Sequence, residues 1–245
     1  MKTTCHRLTV LLTLLLAPLG GLAQGYSPNG HGYVNTVMKP GDNLINNPLD
    51  NDINTLASLF FYQIPNGTMV KLWNPTTGTY DTSSTYSGGA WSANLFLPPG
   101  TGFLLNIPTS ITNLFTGNVQ NHDGSRNFSD FSPPPLFTGM DGIYLLGDKC
   151  PMQDVGNDIF LNLLGRIPNP GEQVTTLNSS SQTYTTSTYL GNNIWDSVPV
   201  LDVGYAAFLN VHSVPEPATI SLLGLGFAFG GWAMKRRCRM QANDR

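Results

Sequence analysis

Two stretches of this 245-residue chain repeat each other, and the repeat limits the possible folds more than any other feature. The segment IPNGTMVKLWNPTTGTYDTSSTYSGGAWS begins at Ile64, and IPNPGEQVTTLNSSSQTYTTSTYLGNNIWD begins at Ile167. After one inserted residue the spacing settles at 104, which aligns Val70 with Val174, Tyr80 with Tyr184, and Trp91 with Trp195. A repeat at one spacing predicts two copies of one structural unit.

The residues of the first copy favour short β-strands. Thr, Val, Tyr and Phe are frequent there, and clusters of Gly, Pro and Asn separate the apolar runs. The predicted strands are Tyr33–Met38, Asn43–Asn46, Thr68–Trp73, Thr79–Tyr86 and Gly102–Ile107. We therefore predict an all-β fold of two tandem β-rich repeats, sandwich-like and each with a short helix, plus an N-terminal signal peptide and a C-terminal transmembrane helix.

Each copy also contains apolar residues at helical spacing. They are Leu56, Leu59 and Phe60 in the first copy, and Ile159, Leu163 and Leu164 in the second. This spacing predicts a helix of one or two turns, with Asp52 or Asn54 as the N-cap of the first. We expect Trp91 and Trp195 to anchor the two equivalent cores.

Charge is sparse and unevenly distributed along the chain. Charged residues make up 11 % of the sequence, against about a quarter in typical proteins. Residues 24–217 contain five basic and fourteen acidic residues, a net charge of −9. Because an acidic surface repels phosphates, we expect this body to bind neither nucleic acid nor an anionic membrane surface.

The first residues have the three parts of an export signal. Lys2 and Arg7 supply a basic region, Leu8–Leu16 is apolar, and small residues precede the bond between Ala23 and Gln24. We predict a signal peptide cleaved at that bond. An uncleaved membrane anchor is the alternative, although the apolar run is short for a span.

The sequence near the C-terminus predicts a short transmembrane helix. Pro217–Met234 is uncharged and would be about 27 Å long as a helix, close to the lower limit for crossing a bilayer. A basic cluster follows at once: Lys235, Arg236, Arg237 and Arg239. Since basic residues stay in the cytoplasm, this stop-transfer cluster predicts that the tail is inside and the body outside.

The order of these C-terminal elements resembles the PEP-CTERM sorting signal of Gram-negative bacteria. Val-Pro-Glu-Pro, a short apolar helix and a basic cluster follow one another between Val214 and Arg239. The resemblance implies that Pro215, Glu216 and Pro217 form the motif recognised by exosortase, in organisms that often make exopolysaccharide. A plain tail anchor with a chance Pro-Glu-Pro is the alternative.

These signals divide the chain into six segments. They are a signal peptide (1–23), a first β repeat (24–108), a connecting segment that includes the first strand of the second repeat (109–139), a second β repeat (140–213), the sorting signal with a transmembrane helix at 218–234 (214–239), and a cytoplasmic tail (240–245).

The sequence offers no convergent set of catalytic residues. It lacks the motifs of nucleophile elbows, zinc proteases and phosphate-binding loops. His31, His122 and His212 are far apart in the sequence and are expected at the surface. The three cysteines fall in different segments, which excludes an intrachain disulfide in the mature body, and Cys150 is expected to be a buried apolar residue. We expect no enzyme and no cofactor.

An acidic stretch at residues 50–54 is a candidate metal site. Asp50, Asp52 and Asn54 place oxygen ligands at alternate positions, as calcium loops do. However, Thr55 stands where such a loop needs glycine, and Phe61 stands where it needs an acidic residue. A turn that caps the helix is the alternative, and we expect no metal here.

The leading hypothesis is a non-enzymatic, exported protein of the cell surface or extracellular matrix. Its expected partners are signal peptidase and exosortase as processing enzymes, the inner membrane, and exopolysaccharide. A carbohydrate-binding module is the alternative, because tyrosines on Thr- and Ser-rich strands can stack on sugar rings. A hydrolase is a third class, which would need clustered carboxylates in a cleft.

Overall fold

A computed structural model describes residues 30–60, 64–120 and 141–212 of the chain. The first sheet is antiparallel and has five strands: β2 (Gly41–Asn46), β3 (Met69–Asn74), β4 (Thr79–Ser87), β5 (Ala90–Trp91) and β6 (Gly102–Ile107). Their order in the sheet is β2-β6-β3-β4-β5. Strands lie at the predicted positions, and the predicted all-β class is confirmed at the level of a mostly β structure with several sheets.

A second sheet also has five strands: β8 (Gly142–Gly147), β10 (Gln173–Asn178), β11 (Thr183–Gly191), β12 (Ile194–Trp195) and β14 (Ala206–Val211). Their order in the sheet is β8-β14-β10-β11-β12. Taken in chain order, these strands occupy the same places as those of the first sheet. The shared order supports the interpretation of an internal duplication.

Two further strand pairs complete the described structure. They are β1 (His31–Met38) with β7 (Ile111–Asn118), and β9 (Asp154–Val155) with β13 (Val200–Leu201). The sequence assigns the strand that follows residue 109 to the second repeat, but β7 pairs with β1 and packs on the first core. Phe115 lies 5.8 Å from Phe60 between ring centroids, and the amide of Asn113 donates to Leu59 O. We therefore count β1–β7 as the first unit and β8–β14 as the second.

The first helix, α1 (Leu56–Leu59), is a single turn that buries Leu56 and Leu59. The predicted N-cap at Asp52 or Asn54 is wrong, since Thr55 occupies that position in an extended conformation. Asp52 and Asn54 have φ values of 67° and 48°, in the left-handed region. An N-cap residue needs extended backbone, so neither can start the helix.

The second helix, α2 (Asn157–Leu164), ends at Gly165, whose φ of 72° gives a left-handed C-cap. The residues predicted at helical spacing are buried in it. Within the described residues, neither helix is long and apolar enough to cross a membrane. The predicted signal peptide and the predicted transmembrane helix at 218–234 lie outside the described residues.

Strands β2 and β6 of the first sheet are buried on both faces, whereas most of β4 is exposed. In β2 and β6, Ile45 and Phe103 face the core of the first unit, whereas Leu44 and Leu104 face a shared layer with Leu145 of the second unit. This alternation follows the period of two along a strand. The second unit has its own core, in which Trp195 lies beside Phe160 and Tyr189, and Trp91 packs against the first core.

The two units meet through reciprocal contacts. Bridges join Ile45 to Tyr205 and Leu146 to Thr101, and these are equivalent pairs with the roles of the units exchanged. Two hydrogen bonds repeat the pattern: Asn46 N donates to Gly204 O, and Gly147 N donates to Gly100 O, both at 3.1 Å. Such reciprocity is the mark of a two-fold interface, here within one chain.

Candidate functional site

An apolar cavity between the units, which we call the inter-unit groove, has a volume of about 390 Å³. The end of β3, the turn before β6 and strand β8 enclose it. Its main lining residues are Leu72, Trp73, Pro75, Pro98, Pro99 and Leu146, with Lys149 and Asn162 as polar members. The volume lies within the range of small-molecule sites.

Trp73 is half-buried and held on several sides. Its indole N–H donates to Ile143 O at 2.7 Å, which covers the free edge of β8. Its ring contacts Tyr80 and Phe208 edge-on, with centroids 5.2 and 5.1 Å away. Trp73 therefore has both core contacts and a place in the groove wall.

A β-bulge beside Trp73 sets this part of the first unit apart. The register between β3 and β4 shifts between Leu72 and Trp73, leaving Asp81 as the extra residue. In the second unit, β10 and β11 pair without interruption over the equivalent positions. Bulges redirect neighbouring side chains and are frequent beside binding sites.

A second candidate surface lies where the equivalent residues Tyr80 and Tyr184 approach each other. Burial raises the pKa of Tyr80 well above its ordinary range, and the nearby Tyr184 and Asp42 raise it further. Burial and Asp42 also raise the pKa of Tyr184, whose side chain is still 51 % exposed. Gln182 bridges the units here by accepting from Asp42 N and donating to Asp42 O.

A buried carboxylate holds the end of strand β14. Glu172 accepts two hydrogen bonds from the Arg166 guanidinium, at 2.5 and 2.8 Å, and one each from Asn169 N and His212 N. Burial by itself raises the pKa of Glu172, but the hydrogen bonds from Arg166 and from the two amides outweigh it and hold the pKa below its usual value. His212 is the last described residue before the predicted sorting signal.

Because of these hydrogen bonds, the stability lost in Glu172→Gln is expected to depend on pH. A carboxyl with a lowered folded pKa stabilises the fold above its unfolded pKa of about 4.3 and loses that contribution as pH falls through the folded pKa. We expect the variant to be about 1–3 kcal/mol less stable at pH 7, because a glutamine cannot replace the charged pairing. Urea denaturation of both proteins should show the difference shrinking below about pH 4; a gap that is constant with pH would contradict it.

The candidate calcium ligands form a turn. Asp50 accepts hydrogen bonds from Asp52 N and from the Asn54 amide, at 2.9 and 2.8 Å. Among the described residues, no group of three or more His, Cys, Asp or Glu side chains could hold a metal ion. These hydrogen bonds form a turn before Thr55, so a turn is present as in the alternative interpretation, but Thr55 caps the helix.

The remaining candidate side chains do not converge on one place. Cys150 is buried, as predicted, and burial together with Asp148 and Asp154 raises the pKa of its thiol to about 12. His31 and His212 are exposed, whereas His122 lies outside the described residues.

The predicted sorting motif and the basic cluster lie outside the described residues. Residues 213–237 match the family model of the PEP-CTERM protein-sorting motif. This chain carries a PEP-CTERM protein-sorting motif. The match covers the predicted Pro215, Glu216 and Pro217 and most of the basic cluster. The comparisons found no matching curated protein and no matching solved structure.

The PEP-CTERM motif supports an exported protein that exosortase sorts, and it implies exosortase as a processing partner. It also indicates a secreted protein with a membrane-anchoring signal at its C-terminus. The motif begins directly after His212. No long linker therefore separates it from strand β14. Sequence reasoning missed the inter-unit groove and Glu172, since both depend on contacts between distant segments.

Proposed function

We propose that this chain is a non-enzymatic protein of the cell surface or extracellular matrix, delivered by its PEP-CTERM motif. The observation that carries the proposal is the match over residues 213–237, immediately after the last strand of a mostly β body. In this mechanism the signal peptide starts export, the apolar segment stops it, and the Pro-Glu-Pro motif lies just outside the bilayer. The body then reaches the surface as folded cargo.

The experiment tests the basic cluster and the recognition motif with two separate variants. Replacing Lys235, Arg236 and Arg237 with glutamine should reduce membrane retention of the body, because the positive charges hold the tail in the cytoplasm. Replacing Pro215, Glu216 and Pro217 with alanine should leave insertion intact and abolish the exosortase-dependent change in mass. Fractionation and intact mass of the product measure both effects.

Arg245→Gln is the matched control, since it removes a positive charge outside the cluster and should change neither readout. Unchanged fractionation of the cluster variant would refute the stop-transfer role. An unchanged mass of the motif variant, in cells that process the parent protein, would refute recognition through Pro-Glu-Pro.

A carbohydrate-binding module is the second candidate function. It is supported by the exposed ring of Tyr184 beside the carboxylate of Asp42, which also accepts from the Asn106 amide at 2.7 Å. Aromatic faces with carboxylate and amide neighbours suit sugar rings. Retardation of the exported product in gels that contain the cell's own exopolysaccharide would favour this function.

A further inference from the structure

The two equivalent β-hairpins differ along their outer strands. In the first unit, the register between β3 and β4 shifts beside Asp81, which places a bulge and a charged side chain on β4. In the second unit, β10 and β11 pair without interruption, and residues 183–188 of β11 are Thr, Tyr and Ser alone. Bulges and charges are features by which proteins keep an exposed edge strand from pairing with another chain. The outer edge of β4 is therefore protected in this way, and that of β11 is not.

The main-chain groups of β11 show which part of its outer edge is free. β12 covers one end, where Asp196 Oδ1 accepts from Thr188 N at 2.8 Å and Asp196 N donates to Thr188 O at 3.0 Å. The main chain of Thr188 thus faces away from β10. Since this direction alternates along a strand, the N–H and C=O groups of Tyr184 and Thr186 also face away from β10. Among the described residues, no hydrogen bond reaches these four groups, and Thr183–Thr186, which we call the open edge of β11, are exposed.

The opposite edge strands of the two sheets, β2 and β8, are covered by contacts between the units. Gln182 accepts from Asp42 N and donates to Asp42 O on β2. The Trp73 indole donates to Ile143 O on β8. The chain thus covers these two edges by itself, whereas the open edge of β11 offers two donors and two acceptors to another strand.

A second copy of β11 fits the open edge in one antiparallel register. With Thr185 opposite Thr185 of the second copy, Tyr184 of each copy faces Thr186 of the other, and all four free groups on each strand form hydrogen bonds. The strand begins at Thr183, and Asp196 occupies the edge at Thr188, so residues 183–187 of the two copies lie side by side. A shift by two residues would leave half of these groups unpaired.

The residues that meet in this register favour self-pairing. Each Tyr184 lies across from a threonine, and aromatic residues opposite β-branched ones stabilise antiparallel sheets. Because the body has a net charge of −9, two copies repel each other unless the contact itself is free of charge. Residues 183–188 are uncharged, and the flanking carboxylates of Asp42 and Asp196 accept from the Asn106 amide and from Thr188 N. A second copy therefore matches the open edge in length, hydrogen bonding and charge.

We propose that two copies of this protein pair through the open edges of β11, which joins their second sheets into one continuous antiparallel sheet. The pairing goes beyond sorting, because residues 183–188 lie outside the PEP-CTERM motif. It places Thr185 of both copies at a non-hydrogen-bonded position, where the Cα atoms of opposite residues are about 4.5 Å apart. A disulfide joins residues whose Cα atoms are about 4.4–6.8 Å apart, so cross-linking at this position tests the register.

The first experiment cross-links the full chain in detergent micelles under mild oxidation. The background carries Cys5→Ser and Cys238→Ser, which leaves Cys150, a buried residue. We expect Thr185→Cys to form a disulfide-linked dimer in most molecules. Thr82→Cys is the matched control and should remain monomeric, because Thr82 has the equivalent position on the protected edge of β4.

The second experiment places charges at the centre of the pair and measures self-association of the full chain by sedimentation equilibrium. Thr185→Lys and Thr185→Glu should each weaken self-association, because like charges then lie opposite each other. An equimolar mixture of the two should associate about fivefold more tightly than either variant alone, since opposite charges then meet. Thr82→Lys is the control and should associate as the parent protein does.

Three results would overturn the proposal. They are a parent protein that stays monomeric, equal cross-linking of Thr185→Cys and Thr82→Cys, and a mixture of the charge variants that associates no better than either alone. A dimer that is unchanged in both charge variants would place the contact elsewhere and would also refute pairing through β11. Because Thr185 is exposed, its substitution should leave the fold intact, and association restored in the mixture would show that both variants are folded.

Discussion

Phe60→Ala is expected to lower the free energy of unfolding by about 3–5 kcal/mol, the largest effect that we predict for a single substitution. Phe60 is 2 % exposed and lies at the centre of an aromatic cluster. Its ring centroid is 5.8 to 6.1 Å from those of Trp91, Phe103 and Phe115. Truncation therefore leaves a cavity where α1, β5, β6 and β7 meet, and urea denaturation measures the loss.

Phe96→Ala is the matched control for this variant. Phe96 is 61 % exposed, so its truncation should change stability by no more than about 0.5 kcal/mol. If both variants lost the same stability, the aromatic cluster would not be the centre of the first core.

Gly147→Asn is expected to lower the free energy of unfolding by about 1–3 kcal/mol, because it crowds the interface between the units. A Cβ at Gly147 would contact the side chain of Asn46, the residue at the equivalent position of the first unit, and something would have to shift. Asn46 uses this space to donate its amide to Asp148 O. Only one of the two equivalent positions can therefore carry a side chain.

The exchanged double variant, Asn46→Gly with Gly147→Asn, tests this explanation. If the interface is two-fold, the asparagine at 147 fits into the space vacated at 46, and the double variant should regain part of the stability lost by Gly147→Asn. Such coupling is measured by a double-mutant cycle of unfolding free energies. Additive losses would mean that the two positions do not share one space.

A constant spacing between the repeats does not align every pair of residues with the same structural role. A constant spacing of 104 pairs Tyr86 with Leu190, but in the structure Tyr86 and Tyr189 play the same part. Each packs on the tryptophan of its own unit, with centroids 5.3 and 5.2 Å apart. A bulge at Asp81 and a second one between Tyr189 and Gly191 shift the register and then restore it. Bulges depend on pairing with a neighbouring strand, which a single sequence does not show.

The sequence by itself determined the features that depend on local order along the chain. The strands of the first unit, the helical turns and the burial of Cys150 followed from residue type and spacing, and the motif at residues 213–237 is a linear signal. Each of these features is contained within a short segment, where propensity and hydrophobic period act directly.

The tertiary structure decided which distant segments share a surface. It placed β7 on the first core, brought the two sheets together through reciprocal contacts, and set Trp73 and Lys149 in one groove although 76 residues separate them. The physical reason is that apolar burial and edge pairing are collective: a strand joins whichever open edge and uncovered core the whole chain offers, so the position of the strand in the sequence does not reveal its partner.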